Sequence, residues 1–231
     1  MSRKLNSLLS RYAPRLGKPK RLLLAYLAKF SPIKNSYSQL GDDNIAIELL
    51  RSIGKCGQLF YVDVGANHPT RISNTYKMYR EGSKGVVIEP NSELIHLHKL
   101  VRPRDIQLPV GCGSSDKLIQ FYSSKTPVLS SFDKNQVADV WGTEYLPVFR
   151  LDTIFQTLSP GSIDFMSIDV EGMDLEVLKG AVKTLKFTLL VCIEANSDQD
   201  EDSIVQFMDA NDFKLAKKNQ WNLFFLRCGN P

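Results

Sequence analysis

The chain has 231 residues, 43% of them hydrophobic and 23% charged, with a formal net charge of +4. That length can bury a full core, and the composition excludes a collagen-like, low-complexity or intrinsically disordered chain. The charge is uneven: nine of the 29 Lys and Arg, and none of the 25 Asp and Glu, fall in residues 1–41, leaving 20 basic against 25 acidic residues, net −5, in the remainder. The basic character therefore belongs to an N-terminal arm, residues 1–41, ahead of a domain over residues 42–231. Within the arm, Arg21-Leu22-Leu23-Leu24-Ala25-Tyr26-Leu27-Ala28-Lys29-Phe30 is helical in pattern. It is far shorter than the ~20 apolar residues of a membrane span, and no small-residue cleavage site follows, as a secretory signal would require. Two uses stay open: a helix packed on the domain, or peripheral contact with an anionic membrane surface or polyanionic glycan. Nucleic acid is the least expected partner, since no recognition motif accompanies the charge.

The first core strand is the apolar run Leu59-Phe60-Tyr61-Val62-Asp63-Val64, which hands over to Gly65-Ala66-Asn67. A short β-rich run without polar alternation is expected where helices cover both faces of a parallel sheet, and ligands of such sheets sit at the carboxyl ends of the strands. His68 follows the turn directly, which makes it a candidate catalytic base or substrate contact. The second run, Gly85-Val86-Val87-Ile88, ends in Glu89-Pro90-Asn91 and precedes a helix expected over residues 92–100. Glu89 lies 24 residues after Gly65, close to the ~20 at which an acid reaches ribose hydroxyls in a mononucleotide-binding unit. No glycine appears between Gly65 and Gly82, so the pyrophosphate cradle of a dinucleotide site is missing, and no Walker-type loop occurs. These features favour a ribose-bearing cofactor without phosphates, of which S-adenosylmethionine is the common one.

Further along, Gly111-Cys112-Gly113 reads as a small-residue turn against which a flat ring can lie. Residues 118–122 and 144–150 read as added strands, with residues 123–142 a polar loop containing Ser130, Ser131, Phe132 and Trp141 that is long enough for a lid or acceptor-binding element. Ile163-Asp164-Phe165-Met166-Ser167-Ile168-Asp169-Val170-Glu171-Gly172 then reads as a strand with acids at its end, an amphipathic helix over residues 174–185 follows, and a strand over residues 187–194 ends in Glu194. Asp63, Asp169, Glu171 and Glu194 are expected along one rim, where like charges raise the pKa of at least one and create a general base. A helix over residues 199–211 and a hairpin of residues 213–217 and 221–227, turning at Asn219-Gln220, close the chain. His68, His96 and His98 form no metal pattern, and His96 and His98 are expected on a surface helix. Cys56, Cys112, Cys192 and Cys228 are too far apart for a zinc knuckle and read as reduced thiols of a cytoplasmic protein.

Together, Asp63-Val64-Gly65-Ala66-Asn67, Ile88-Glu89-Pro90-Asn91, Leu151-Asp152-Thr153-Ile154, Ile168-Asp169-Val170-Glu171-Gly172 with Glu176-Val177-Leu178-Lys179-Gly180, and Ile193-Glu194 resemble the FkbM family of S-adenosylmethionine-dependent methyltransferases over about residues 58–228. The resemblance implies a class I methyltransferase fold, a Rossmann-like three-layer α/β architecture with a seven-stranded, mostly parallel sheet and one antiparallel strand near its edge. It also implies O-methylation of a sugar, glycan or similar hydroxylated acceptor. Glu89 and Pro90 would then hold the ribose, Asp63, Gly65 and Asn67 the methionine end, and Gly111 and Cys112 the adenine. Asp169 or Glu171 would take the hydroxyl proton, and Glu194 would touch the acceptor. His68-Pro69-Thr70-Arg71-Ile72-Ser73-Asn74-Thr75 departs from the family, which usually continues after the asparagine with Ile or Val, Gly and an aromatic or small residue. Two alternatives stay open: a nicotinamide-dependent sugar-nucleotide enzyme, and a non-catalytic glycan- or cofactor-binding domain.

Overall fold

Apolar runs that can be covered on both faces become parallel strands here, and their order places one crevice. The computed structural model describes residues 23, 26–170 and 172–229. From residue 42 onward its elements are α1 (Asp42–Ser52), β1 (Phe60–Val64), α2 (Tyr76–Arg80), β2 (Lys84–Ile88), α3 (Ser92–Val101), β3 (Ile106–Leu108), β4 (Gly111–Cys112), β5 (Lys117–Ser124), β6 (Val140–Phe149), α4 (Leu151–Leu158), β7 (Ile163–Ile168), α5 (Asp174–Lys179), α6 (Val182–Leu185), β8 (Thr188–Glu194), α7 (Asp198–Asp209), β9 (Phe213–Asn219) and β10 (Asn222–Arg227). Among the described residues the main sheet has seven strands in the order β3-β2-β1-β7-β8-β10-β9, and β4, β6 and β5 form a second, three-stranded sheet. Only β10 runs against its neighbours β8 and β9 in the main sheet, one place in from the edge. The order reverses direction between β1 and β7, and the crevice outside the carboxyl ends of those strands is where an open α/β sheet binds its ligand.

Strand alternation sorts the core into two layers. Val62, Val64, Val86, Ile88, Met166, Ile168, Val191 and Ile193 pack against residues of α4 to α7, among them Leu151, Phe155, Val177, Leu178, Leu185, Ile204 and Met208. On the opposite face Tyr61, Phe165, Leu190 and Cys192 pack against Ala46, Ile47 and Leu50 of α1, Tyr76, Met78 and Tyr79 of α2, and Leu94, Leu97 and Val101 of α3. The result is helix, sheet, helix.

Several elements differ from expectation. The helix expected over residues 174–185 breaks at Gly180, a position that admits no side chain because a Cβ there would meet the Gly113 carbonyl at 2.1 Å. The chain restarts as α6, whose Lys183 and Thr184 N–H groups donate to the Asp152 carboxylate. Gly111 and Cys112 form a strand and not a turn, pairing in parallel with Val148 and Phe149. β5 and β6 run into the expected loop, leaving two short 3-10 turns, Pro127–Leu129 and Lys134–Gln136, between them. The hairpin strands reach Asn219 and Asn222, so Gln220, with φ 55°, makes the turn. The packed domain also begins before residue 42. The Asp43 carboxylate accepts from the Ser36 and Ser38 hydroxyls and the Tyr37 N–H at 2.6 to 3.0 Å, and buried Tyr37 meets the Tyr76 ring edge-on, 4.8 Å between centroids. Residues 1–22 of the basic arm lie outside the described residues. No helix among the described residues is long and apolar enough to cross a membrane.

Candidate active site

The turn after β1 is built by close backbone approach. Gly65 has φ 75°, and a Cβ on it would sit 1.8 Å from the Asp169 carbonyl oxygen, so no side chain fits. Its N–H and that of Ala66 donate to the Ile88 carbonyl at 3.0 and 3.2 Å, which ties the turn to the end of β2. Asn67 is left-handed, φ 49°. Its N–H donates to Glu89 Oε2 at 2.9 Å, while the Asn91 N–H donates to Glu89 Oε1 at 2.8 Å. Burial pushes the Glu89 carboxyl up to about 7, against the lowering effect of those two bonds. Asn91 also caps α3, accepting from the Glu93 N–H at 2.9 Å.

A cleft opens beside this turn, with about 660 Å³ of empty space including its mouth and adjoining solvent. Gly65, Asn67, Glu89, Pro90, Gly111, Cys112 and Asp169, drawn from four stretches of sequence, line it together. The segment between β5 and β6 supplies a further wall of Val128, Ser130, Ser131 and Phe132. Two asparagines fasten that wall. The Asn67 amide donates to the Val128 carbonyl at 3.3 Å, and the Asn91 amide donates to the Pro127 carbonyl at 3.1 Å and the Ser130 hydroxyl at 3.2 Å. Phe132 packs edge-on to Phe121 and occupies the space that a Gly111 side chain would need. Trp141, from the same expected loop, stands exposed on β6.

Three candidates do not meet the cleft. Asp63 shares a face with Tyr61 and is buried under the turn, where its carboxylate accepts from the Thr75 hydroxyl and pairs with Arg102 at 3.7 Å. Burial raises its pKa, and Arg102 and Thr75 oppose the rise. Arg102 is itself held by Asp105 at 2.7 Å and donates to Thr75 Oγ1 at 2.8 Å. Asp63 is thus a strut beneath the site and not a wall of it. His68 also lies outside the lining, its Nδ1 accepting from the Thr70 N–H at 3.2 Å. Burial first, and Arg71 second, push its pKa down to about 3, which leaves it neutral and too weak a base for the role expected of it. Glu194 ends β8 level with Asp169, since Ile168 pairs with Ile193, but it too is outside the lining. Glu171 lies outside the described residues. Of the four carboxylates expected along the rim, Asp169 is the one among the described residues that lines the cleft.

Two further side chains support the site from outside its lining. His98 is buried, not on a surface, and its Nε2 lies 2.9 Å from the Asn67 carbonyl. Burial and then Arg102 keep its pKa well below the ordinary value, so the ring is neutral and donates from Nε2 to that carbonyl. The signal was available: Leu94, His98, Val101 and Arg102 recur at the spacing of one helical face. The second support is Asp174, buried, whose carboxylate accepts from the Val170 and Gly172 N–H groups at 3.1 Å each and so holds the turn after Asp169. Burial pushes its pKa up to about 7, with Glu194 adding to the rise.

The chemistry of the lining selects the cofactor. Its ionisable side chains among the described residues, apart from the Cys112 thiol that burial keeps protonated, are the carboxylates of Glu89 and Asp169. A pyrophosphate would find no cation there, whereas a positively charged ligand with ribose hydroxyls finds acceptors already in place. Fold, crevice and strand-end acid define a class I methyltransferase. The chain belongs to the FkbM methyltransferase family, whose domain model matches residues 63–229. Its cofactor is S-adenosylmethionine, and the nicotinamide alternative falls. Solved structures that the chain resembles include the cofactor-bound Rv0187 from MTB, 14% identical over 92% of this chain and 90% of that one, with a TM-score of 0.49. A protein of Klebsiella pneumoniae described as an O-methyltransferase is 13% identical over 98% and 96%, at 0.47. One of Pyrococcus horikoshii described as an RNA methyltransferase is 9% identical over 90% and 98%, also at 0.47. Among curated proteins none matches the sequence.

Proposed function

We propose that this methyltransferase acts on oxygen, and that its acceptor is a hydroxyl of a sugar, glycan or similar small hydroxylated molecule. When bound, S-adenosylmethionine supplies a methyl group activated on a cationic sulfonium. Glu89 receives the ribose hydroxyls on a carboxylate that two backbone N–H groups already orient. Gly65 and Asn67 hold the methionine end, and the backbone at Gly111 and Cys112 faces the adenine. The observation that carries the reading is Asp169, a carboxylate in the same cleft whose backbone presses on Gly65. With methyl passing from sulfur to the acceptor oxygen, the S–CH3 bond breaking and neutral S-adenosylhomocysteine leaving, the hydroxyl proton would go to Asp169; a positioned carboxylate contributes ~10²- to 10⁴-fold in such a role. Alignment of the two reactants supplies the rest.

The test is incubation of the full-length protein with methyl-labelled S-adenosylmethionine and three panels: sugars and glycans, small carboxylic acids, and RNA. Label on a sugar hydroxyl, seen as a new methoxy signal and a mass gain of one CH₂, is the expected result. Transfer only to RNA nitrogen or to a carboxylate would overturn the acceptor class. Tight cofactor binding with no transfer to any panel would favour a binding domain over an enzyme.

A further inference from the structure

Leu23, Tyr26, Leu27 and Phe30 recur at the spacing of one helical face, and residues 23 and 26–28 are helical. A helix packed on the domain would bury that stripe. Instead Leu23 is 57% exposed, Leu27 44% and Phe30 66%, and Ile33 continues the apolar surface at 58%. The Tyr26 and Phe30 rings touch edge-on, 5.4 Å between centroids, which makes the stripe one surface. Its end is fixed to the domain, because Arg80 Nη2 donates to the Ser31 carbonyl at 3.0 Å. All nine Lys and Arg before Asp42 belong to the same stretch of chain, with no acid among them.

We infer that this stripe and its flanking basic residues form a docking surface for an anionic lipid bilayer. An amphipathic segment with a cationic flank seats its apolar residues at the boundary of headgroups and acyl chains, and each nearby Lys or Arg adds about 1 kcal/mol on an anionic leaflet. Charge complementarity separates this occupant from the others. A second copy would bring nine positive charges against nine, which repel. A soluble polyanion would satisfy the cations but leave Leu23, Leu27 and Phe30 in water, where the apolar stripe gains nothing. Only an anionic bilayer answers both features. This holds whatever the methyl acceptor is.

The test uses the full chain with sedimenting vesicles of phosphatidylcholine alone and of phosphatidylcholine mixed with phosphatidylglycerol, at low and physiological salt. The protein should sediment with the mixed vesicles and not with the neutral ones. The double variant Leu27→Glu, Phe30→Glu should cut that binding by roughly tenfold or more while its thermal response to cofactor stays unchanged, since both side chains are exposed. Binding to mixed vesicles that the variant retains in full would assign the effect to charge alone and overturn the role of the stripe. Retention on a heparin matrix without vesicle binding would point to a polyanion, and a concentration-dependent dimer that the variant abolishes would point to a second copy; either overturns the inference. The wild-type comparison of neutral with anionic vesicles decides the matter even if the variant misfolds.

Discussion

The two halves of the cleft are built around the same device and use it differently. At the end of β2, Glu89 accepts two backbone N–H groups and is pushed up to about 7 by burial. Beyond β7, Asp174 accepts two backbone N–H groups and is pushed to the same region for the same first reason. Each carboxylate folds a turn around itself. Glu89, however, lines the cleft and Asp174 does not, so one can receive a ligand while the other only shapes the loop that carries Asp169. A shifted pKa alone would have ranked them equal, and position tells them apart.

The comparison breaks most visibly at Asp169. If the β7 half does the chemistry, Asp169→Asn should lower turnover by ~100-fold or more while cofactor affinity, measured by calorimetry, stays within about twofold of the wild type. Loss of affinity with turnover intact would reverse the assignment of the two halves. In the β2 half, Glu89→Ala should weaken S-adenosylmethionine binding by roughly 1–3 kcal/mol, the scale of lost hydrogen bonds to a charged group. Unchanged affinity would remove Glu89 from the ribose site.

Protonation sharpens the contrast. Both acids have folded pKa values raised above their ordinary ones, so each stabilises the fold fully below its ordinary pKa and loses that contribution as pH rises through about 7. Relative to Glu89→Gln, the ligand-free wild type should therefore lose thermal stability between about pH 4.5 and 7, and relative to Asp174→Asn it should do the same from about pH 4. Ribose hydroxyls donate best to an ionised carboxylate, so cofactor affinity should fall by up to tenfold per pH unit below about 7. Adding cofactor should change the stability difference at Glu89 and leave that at Asp174 alone. A cofactor response that is flat from pH 6 to 8 would mean that Glu89 does not titrate in the site.

The sequence made the strands and their ends legible because fully buried parallel strands announce themselves as apolar runs, and a glycine directly after such a run marks the turn, here with φ 75° at Gly65. The spacing to Glu89 located one wall of the cleft, and Asp169 the other. What stayed hidden depends on which way a side chain turns. Asp63 shares its motif with Gly65, but β1 alternates, and the face that carries Tyr61 carries Asp63 away from the crevice toward Arg102. The need for glycine at Gly180, where the helix breaks, comes from close approach to Gly113, 67 positions earlier in the chain, which no local propensity encodes. The β5–β6 wall is placed by Asn67 and Asn91, again over long separations.

The smallest effect is expected at His98, and it tests whether the β2 half is held from below. The Nε2 bond to the Asn67 carbonyl restrains a residue in the left-handed region, and the N–H of that residue is one of the two that orient Glu89. His98→Leu removes the donor and leaves a half-buried carbonyl without it, which should cost about 1 kcal/mol. That corresponds to roughly fivefold weaker cofactor binding, read as a raised KM for S-adenosylmethionine with kcat nearly unchanged. His98→Gln, which keeps a donor near the same position, should recover most of the affinity. A general packing defect would lower stability in both variants without this split. If Leu and Gln behave alike, or if kcat falls while KM holds, His98 is an ordinary core residue and the turn keeps its shape through Gly65 and Asp169 alone.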